Sequence, residues 1–102
     1  MPFYSLETIH KIAKDENKIF LSRLAQRDAS NLGYAKKDIA ACLKALNHSN
    51  FLNTQKYNGI VMDAYRISCQ VSSGNRDEIY IKLKLTSEYK IVISVGSFHL
   101  SR

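Results

Sequence analysis

The sequence predicts an α+β domain, with two to three helices packed on an antiparallel sheet of three to five strands. Two observations carry that prediction. Apolar residues recur at helical spacing through the first half of the chain, and after about residue 55 the hydrophobic period falls to two. Ile79, Ile81, Leu83 and Leu85 then alternate without a break against Tyr80, Lys82, Lys84 and Thr86, the pattern of a strand with one wet face. Helices first and a strand meander after them, with no internal repeat, define the α+β class.

Ser5 is a candidate N-cap, with Glu7 in the first turn, where it favours the positive end of the helix dipole. Leu6, Ile9, Ile12 and Ala13 form the apolar stripe of this helix, and Asp15-Glu16-Asn17 ends it in a polar turn. Ile19-Phe20-Leu21 is a short extended segment. Ser22 caps a second helix carrying Leu24, Ala25, Ala29 and Leu32, closed by Gly33 in the left-handed conformation. A third helix shows Ile39, Cys42, Leu43 and Leu46 on one side and Lys36, Lys37, Asp38 and Lys44 on the other. Asn47-His48-Ser49-Asn50 stops it, and Phe51-Leu52 is expected to tuck under the core.

The meander after the helices is expected as three strands. The first runs from Ile60 to Val71, with Tyr65, Ile67, Cys69 and Val71 alternating against Arg66, Ser68 and Gln70. A turn over Ser72–Asp77 leads into the strand Ile79–Thr86. Ser87-Glu88 turns the chain again, and Lys90 to Val95 forms the last strand. Ile81, Leu83, Ile91 and Ile93 are the expected core of the sheet.

A chain of 102 residues has room for one domain, 1–102, and enough core to fold without staples. Hydrophobic residues at 45% and charged residues at 24%, with 4 Gly and 1 Pro, exclude a disordered or low-complexity chain. Cys42 and Cys69 have no CxxC partner, so both are expected as reduced, buried core thiols of an intracellular protein. Met1-Pro-Phe-Tyr-Ser-Leu-Glu lacks a basic region followed by an apolar run, so no signal peptide is expected, and no apolar run approaches the length of a membrane span. The expected location is cytoplasmic.

The formal net charge is +6, with a sequence pI near 9.4. Residues 1–51 hold eight basic and five acidic groups, and residues 52–102 hold seven and four, so the excess is spread through the domain. A polyanion such as RNA, or an acidic protein, is the natural partner. Tyr80, Lys82 and Lys84 share one strand face at about 7 Å intervals, an arrangement in which a ring stacks on a base while ammonium groups meet phosphates. Lysines on a wet strand face also guard against edge-to-edge aggregation, so this row has a purely structural reading as well. HExxH, P-loop and GxGxxG patterns are absent, and His10, His48 and His99 have no ligand spacing. His10 and His48 are expected to be solvated. His99, just beyond the last strand, could reach the surface that carries Tyr80, and Arg66 leaves its strand on the non-core side.

An ordered series of short segments resembles the motility quorum-sensing regulator (MqsR) toxin family. It begins at Leu6-Glu7-Thr8-Ile9 and continues with Ser30-Asn31-Leu32-Gly33, Leu43-Lys44-Ala45-Leu46 and Asn50-Phe51. Val61-Met62-Asp63-Ala64-Tyr65-Arg66 is similar to that family's Trp-Gln-Asp-Val-Tyr segment, Ile79-Tyr80-Ile81-Lys82 to its Val-Tyr-Leu-Lys strand, and Ile91-Val92-Ile93-Ser94 to its Leu-Ile-Val-Ser strand. The resemblance implies a RelE-like α+β fold and a type II toxin of a toxin–antitoxin system. It also implies a metal-independent endoribonuclease that cuts single-stranded mRNA by 2′-OH attack, needs no cofactor and is neutralised by a cognate antitoxin protein.

The family places its chemistry on a Lys after a Phe-Tyr pair, a Gln, a Tyr and a C-terminal Lys. The Tyr carries over onto Tyr80. The first Lys falls on Asn53, with Lys56 three residues later; the Gln falls on Met62; and the last Lys falls on Gly96, with His99 the nearest replacement. The expected site is therefore Tyr80 with Lys56 and His99 in proton transfer or charge stabilisation, and Arg66, Lys82 and Lys84 on phosphate. An imidazole can take a lysine's place in proton transfer. The alternatives are a family member that binds RNA or antitoxin without cleaving, and a basic protein-interaction domain.

Overall fold

A computed structural model describes residues 1–70, 76–87 and 91–101. Three helices, α1 (Leu6–Ile12), α2 (Arg23–Asn31) and α3 (Lys36–Ala45), cover one face of a five-stranded sheet. The strands are β1 (Ile19–Leu21), β2 (Phe51–Tyr57), β3 (Ile60–Gln70), β4 (Arg76–Ser87) and β5 (Ile91–Leu100), in the spatial order β1-β5-β4-β3-β2. The expected α+β architecture is what the chain adopts. β2 to β5 form an antiparallel meander, and β1 joins its far edge as a parallel partner of β5.

The helix boundaries follow the capping chemistry. The Ser5 hydroxyl accepts from the Thr8 N–H and the Ser22 hydroxyl from the Ala25 N–H, each satisfying an otherwise orphaned amide. Ser22 also donates to the Gly96 carbonyl at 3.1 Å, which ties the start of α2 to β5. Gly33 closes α2 at φ +85°, where a Cβ would be strained. At α3 the Asp38 carboxylate accepts from the Ala35 N–H at 2.8 Å.

The core lies between the helices and the sheet. Ile9, Ile19, Ile39, Leu43 and Leu46 pack against Tyr65, Ile79, Ile81, Leu83, Ile93, Val95 and Phe98, all fully buried. Of the four expected sheet-core residues, Ile81, Leu83 and Ile93 are buried as expected, whereas the side chain of Ile91 lies outside the described residues. So do Val71, most of the turn expected over Ser72–Asp77 and Glu88 of the second expected turn, while Arg76 and Asp77 already belong to β4.

Several expectations are corrected. Phe51 packs against the core, its ring edge-on to Tyr65, as expected, whereas Leu52 is exposed, and both begin a strand that also contains Lys56. His99 is inside β5, not beyond it. Half-buried His10 contacts the Leu46 carbonyl through Nε2 at 2.6 Å, tying α1 to the end of α3, because the ring lies where those helices converge. Cys42 and Cys69 are joined as a disulfide, with Cα atoms 6.0 Å apart. The apolar stripe of α3 crosses the core face of β3 at that point, a juxtaposition that their 27-residue separation does not announce.

Candidate functional site

The face of the sheet turned away from the helices carries all the residues expected at the site except Lys56. Arg66 of β3 pairs with Tyr80 of β4, and Tyr80 pairs with His99 of β5, so these three stand in one row across neighbouring strands. Directly opposed residues on one sheet face hold their Cβ atoms about 5 Å apart. The next row along β4 sets Lys82 between Ala64 and Ser97, and Lys84 follows opposite Ser94. All five expected residues on β3 to β5 thus share one surface.

Contacts within the row are specific. The rings of Tyr80 and His99 stack, with centroids 5.0 Å apart and planes 18° from parallel. Nδ1 of His99 lies 2.9 Å from the Leu100 carbonyl oxygen. A carbonyl can only accept, so this bond puts the proton on Nδ1 and leaves the Nε2 lone pair of the neutral ring free. The hydroxyl of Tyr80 accepts from Nε2 of Gln55 at 3.0 Å, which leaves the phenol's own proton available to another acceptor. Gln55 is held in turn by a second bond from the same nitrogen to Oδ1 of Asn53 at 3.1 Å.

Lys56 is not brought to this cluster. Along β2, Gln55 faces Tyr80, while Thr54 bonds the buried Asp63 on the helix side of the sheet. Strand alternation gives Lys56 the face of Thr54, and its register partner is Val61. Its ammonium therefore belongs to the opposite side of an edge strand. Gln55 was not among the residues expected at the site, yet it makes the only described side-chain hydrogen bond to Tyr80. The sequence holds a signal for it. Asn58-Gly59 is a two-residue hairpin turn with positive φ at both positions, 50° and 80°. Counting back from that turn pairs Gln55 with Met62 and puts both on the face of Arg66.

Met62 and Gly96 are the residues onto which the resemblance carries the family's Gln and C-terminal Lys. The structure brings the two together. Gly96 is the extra residue of a bulge, since Lys82 pairs with Ser97 and Leu83 with Val95. The Met62 side chain reaches across β4 onto it, so that a Cβ at Gly96 would stand 2.6 Å from Met62 Cε and 3.3 Å from Sδ. Among the described residues, no group of three or more His, Cys, Asp or Glu could together hold a metal ion, and no helix is long and apolar enough to cross a membrane.

The fold and this surface define a small basic α+β domain whose open sheet face combines stacked rings with cationic side chains. The family model for the motility quorum-sensing regulator, toxin of MqsA, matches residues 1–99. The chain belongs to that family, and is thereby a toxin of a toxin–antitoxin system with an antitoxin as partner. No curated protein matches the chain.

Proposed function

We propose that this toxin, one domain over residues 1–102 acting in the cytoplasm, is an endoribonuclease that cuts single-stranded mRNA on the open sheet face. The observation that carries the reading is the row Arg66–Tyr80–His99, with Gln55 on the Tyr80 hydroxyl. In the proposed reaction the ribose 2′-oxygen attacks the adjacent phosphorus and the bond to the 5′-oxygen breaks, leaving a 2′,3′-cyclic phosphate and a 5′-hydroxyl. His99 Nε2 takes the 2′-OH proton, because its Nδ1 is engaged with the Leu100 carbonyl. The Tyr80 hydroxyl donates its proton toward the departing 5′-oxygen or a phosphate oxygen. Arg66 stabilises the charge that builds on the phosphorane, and Lys82 and Lys84 grip the phosphates of the neighbouring nucleotides. Neither a metal nor a cofactor takes part in these steps. Lys56 is left out, because it stands on the other face of β2. The antitoxin meets a +6 domain and gains association rate from an acidic segment.

A second reading, RNA binding without cleavage, has one observation in its favour. Where the family carries two polar catalytic positions, this chain has a methionine lying on a glycine. End-labelled single-stranded RNA incubated with the purified toxin separates the two. Fragments ending in a cyclic phosphate, lost by about 10²-fold or more in Tyr80→Phe and in His99→Ala, are expected for the nuclease. Parent rates in both variants would remove the proposed site. Intact RNA retained in a salt-sensitive manner would select the second reading.

A further inference from the structure

Two hollows flank the Lys82–Lys84 stretch of β4, and the mechanism above uses neither. One, of about 250 Å³, lies toward the β2–β3 hairpin and is lined by Gln55, Tyr57, Ile60, Met62 and Lys82. The other, of about 360 Å³, lies toward β1 and is lined by Phe20, Ile60, Met62, Lys84 and Gly96. Ile60 and Met62 belong to both, so together they form the wall between them. Each hollow combines an apolar lining with a single lysine at its edge. Phe20, Tyr57 and Ile60 remain 50%, 67% and 47% exposed, a concentration of large apolar surface beside the lysines of the open face. The wall itself depends on Gly96, since any side chain there would displace the end of Met62.

We propose that these hollows are two adjacent nucleobase subsites, with Met62 standing between two unstacked bases while Lys82 and Lys84 take the phosphates that follow them. The inference rests on the RNA reading above and extends it to how the strand is held. Lys82 and Lys84 are about 7 Å apart along β4, within reach of successive phosphates of an extended single strand. The occupant is set by charge and shape together: flat apolar rings meet Ile60, Met62, Phe20 and Tyr57, and each ring is tethered to an anion that meets a lysine. The first hollow opens beside Gln55, whose amide donates to Tyr80, so a base seated there brings its own phosphate next to the catalytic row. Bases splayed onto a protein face, rather than read as a duplex, are the usual mode of single-strand recognition.

The chain has two methionines, Met1 and Met62, so methyl-labelled methionine gives one NMR signal from the sheet face and one from the terminus. A short single-stranded RNA, and versions of it with one base at a time removed, are titrated into the full chain. The expected result is a ring-current shift of the Met62 methyl on binding. Affinity should also fall roughly tenfold or more at two neighbouring abasic positions, and that base dependence should be lost in Met62→Ala and in Phe20→Ala. Both variants change the face away from the core, and a folded far-UV and melting signature checks them; Gly96→Ala, which crowds the same wall, is a third. Salt-sensitive RNA binding that ignores base removal and leaves the Met62 methyl unmoved would overturn the subsites while sparing the RNA reading. Binding of no RNA at all would overturn both. A Met62 methyl that moves only when the antitoxin is added would assign the hollows to that protein and overturn the subsites.

Discussion

At Asp63 a single buried carboxylate gathers three donors and fastens the chain's N-terminal segment to the sheet. The Phe3 and Tyr4 amides donate to it at 3.1 and 2.8 Å, and the Thr54 hydroxyl at 2.6 Å, while the Tyr4 hydroxyl donates to the Val61 carbonyl. Asp63 is fully buried and forms no ion pair among the described residues, so its stability rests on those hydrogen bonds. Asp63→Ala strands the donors and should cost about 2–3 kcal/mol in urea unfolding. An unchanged midpoint would show that the latch carries no energy. Tyr65, two residues on, is the opposite case. Its hydroxyl is buried with no hydrogen-bond partner among the described residues, and burial, helped by the Asp63 charge, pushes its titration above the usual phenol range. Removing an unpaired buried hydroxyl relieves a desolvation penalty. Tyr65→Phe should therefore be neutral or stabilise by up to about 1 kcal/mol, and a clear loss of stability would point to a partner for that oxygen.

At the scale of the elements, the helices were legible because each states its own boundaries. Ser5, Ser22 and Gly33 act where the sequence puts them, and the stripes Leu6-Ile9-Ile12 and Ile39-Cys42-Leu43-Leu46 are buried as their spacing requires. β2 was not legible from its side chains. It is an edge strand, mostly exposed, and its polar run Asn53-Thr54-Gln55-Lys56 carries no apolar alternation. The only local mark of it is the Asn58-Gly59 turn. Missing that strand misplaced Lys56 and hid Gln55, whereas Tyr80, Lys82 and Lys84 were legible because perfect alternation fixes their face. The Cys42–Cys69 junction and the stacking of His99 on Tyr80 are tertiary facts that no local pattern encodes. The connection between α2 and α3 offers a pH test. Tyr34 packs edge-on to Phe98, and its hydroxyl donates to Asp77 of β4 at 3.2 Å. Burial first, then the Asp77 charge and this hydrogen bond, push the phenol up to about 12 from the usual 10.0. Above pH 10 the unfolded chain releases this proton while the folded chain keeps it until about 12, so stability should fall with rising pH across that window. Tyr34→Phe should flatten the alkaline part of the profile; a slope unchanged from the parent would remove Tyr34 from its causes.

For the molecule as a whole, charge distribution decides which face meets a polyanion. Cations stand on both sides of the sheet: Arg66, Lys82 and Lys84 on the open face, and Lys11, Lys14 and Lys44 among the exposed residues of the helical side. The one ion pair among the described residues is Arg27 with Asp28, at 3.6 Å on the surface, so neutralisation within the protein does little to distinguish the faces. Net charge alone would therefore let RNA bind either side. What separates them is the company of the cations, since the open face sets the stacked Tyr80 and His99 rings and two apolar hollows beside Lys82 and Lys84. Three phosphate contacts to a single strand predict a slope of roughly −2 when log affinity is plotted against log salt, at about −0.7 per contact. Replacing Lys84 by Ala should lessen that slope by about 0.7, whereas the paired change Lys11→Ala and Lys14→Ala should leave it where it was. The inverse pattern, a slope that answers to the helical lysines and ignores Lys84, would move the RNA path to the other side of the sheet and take the catalytic row with it.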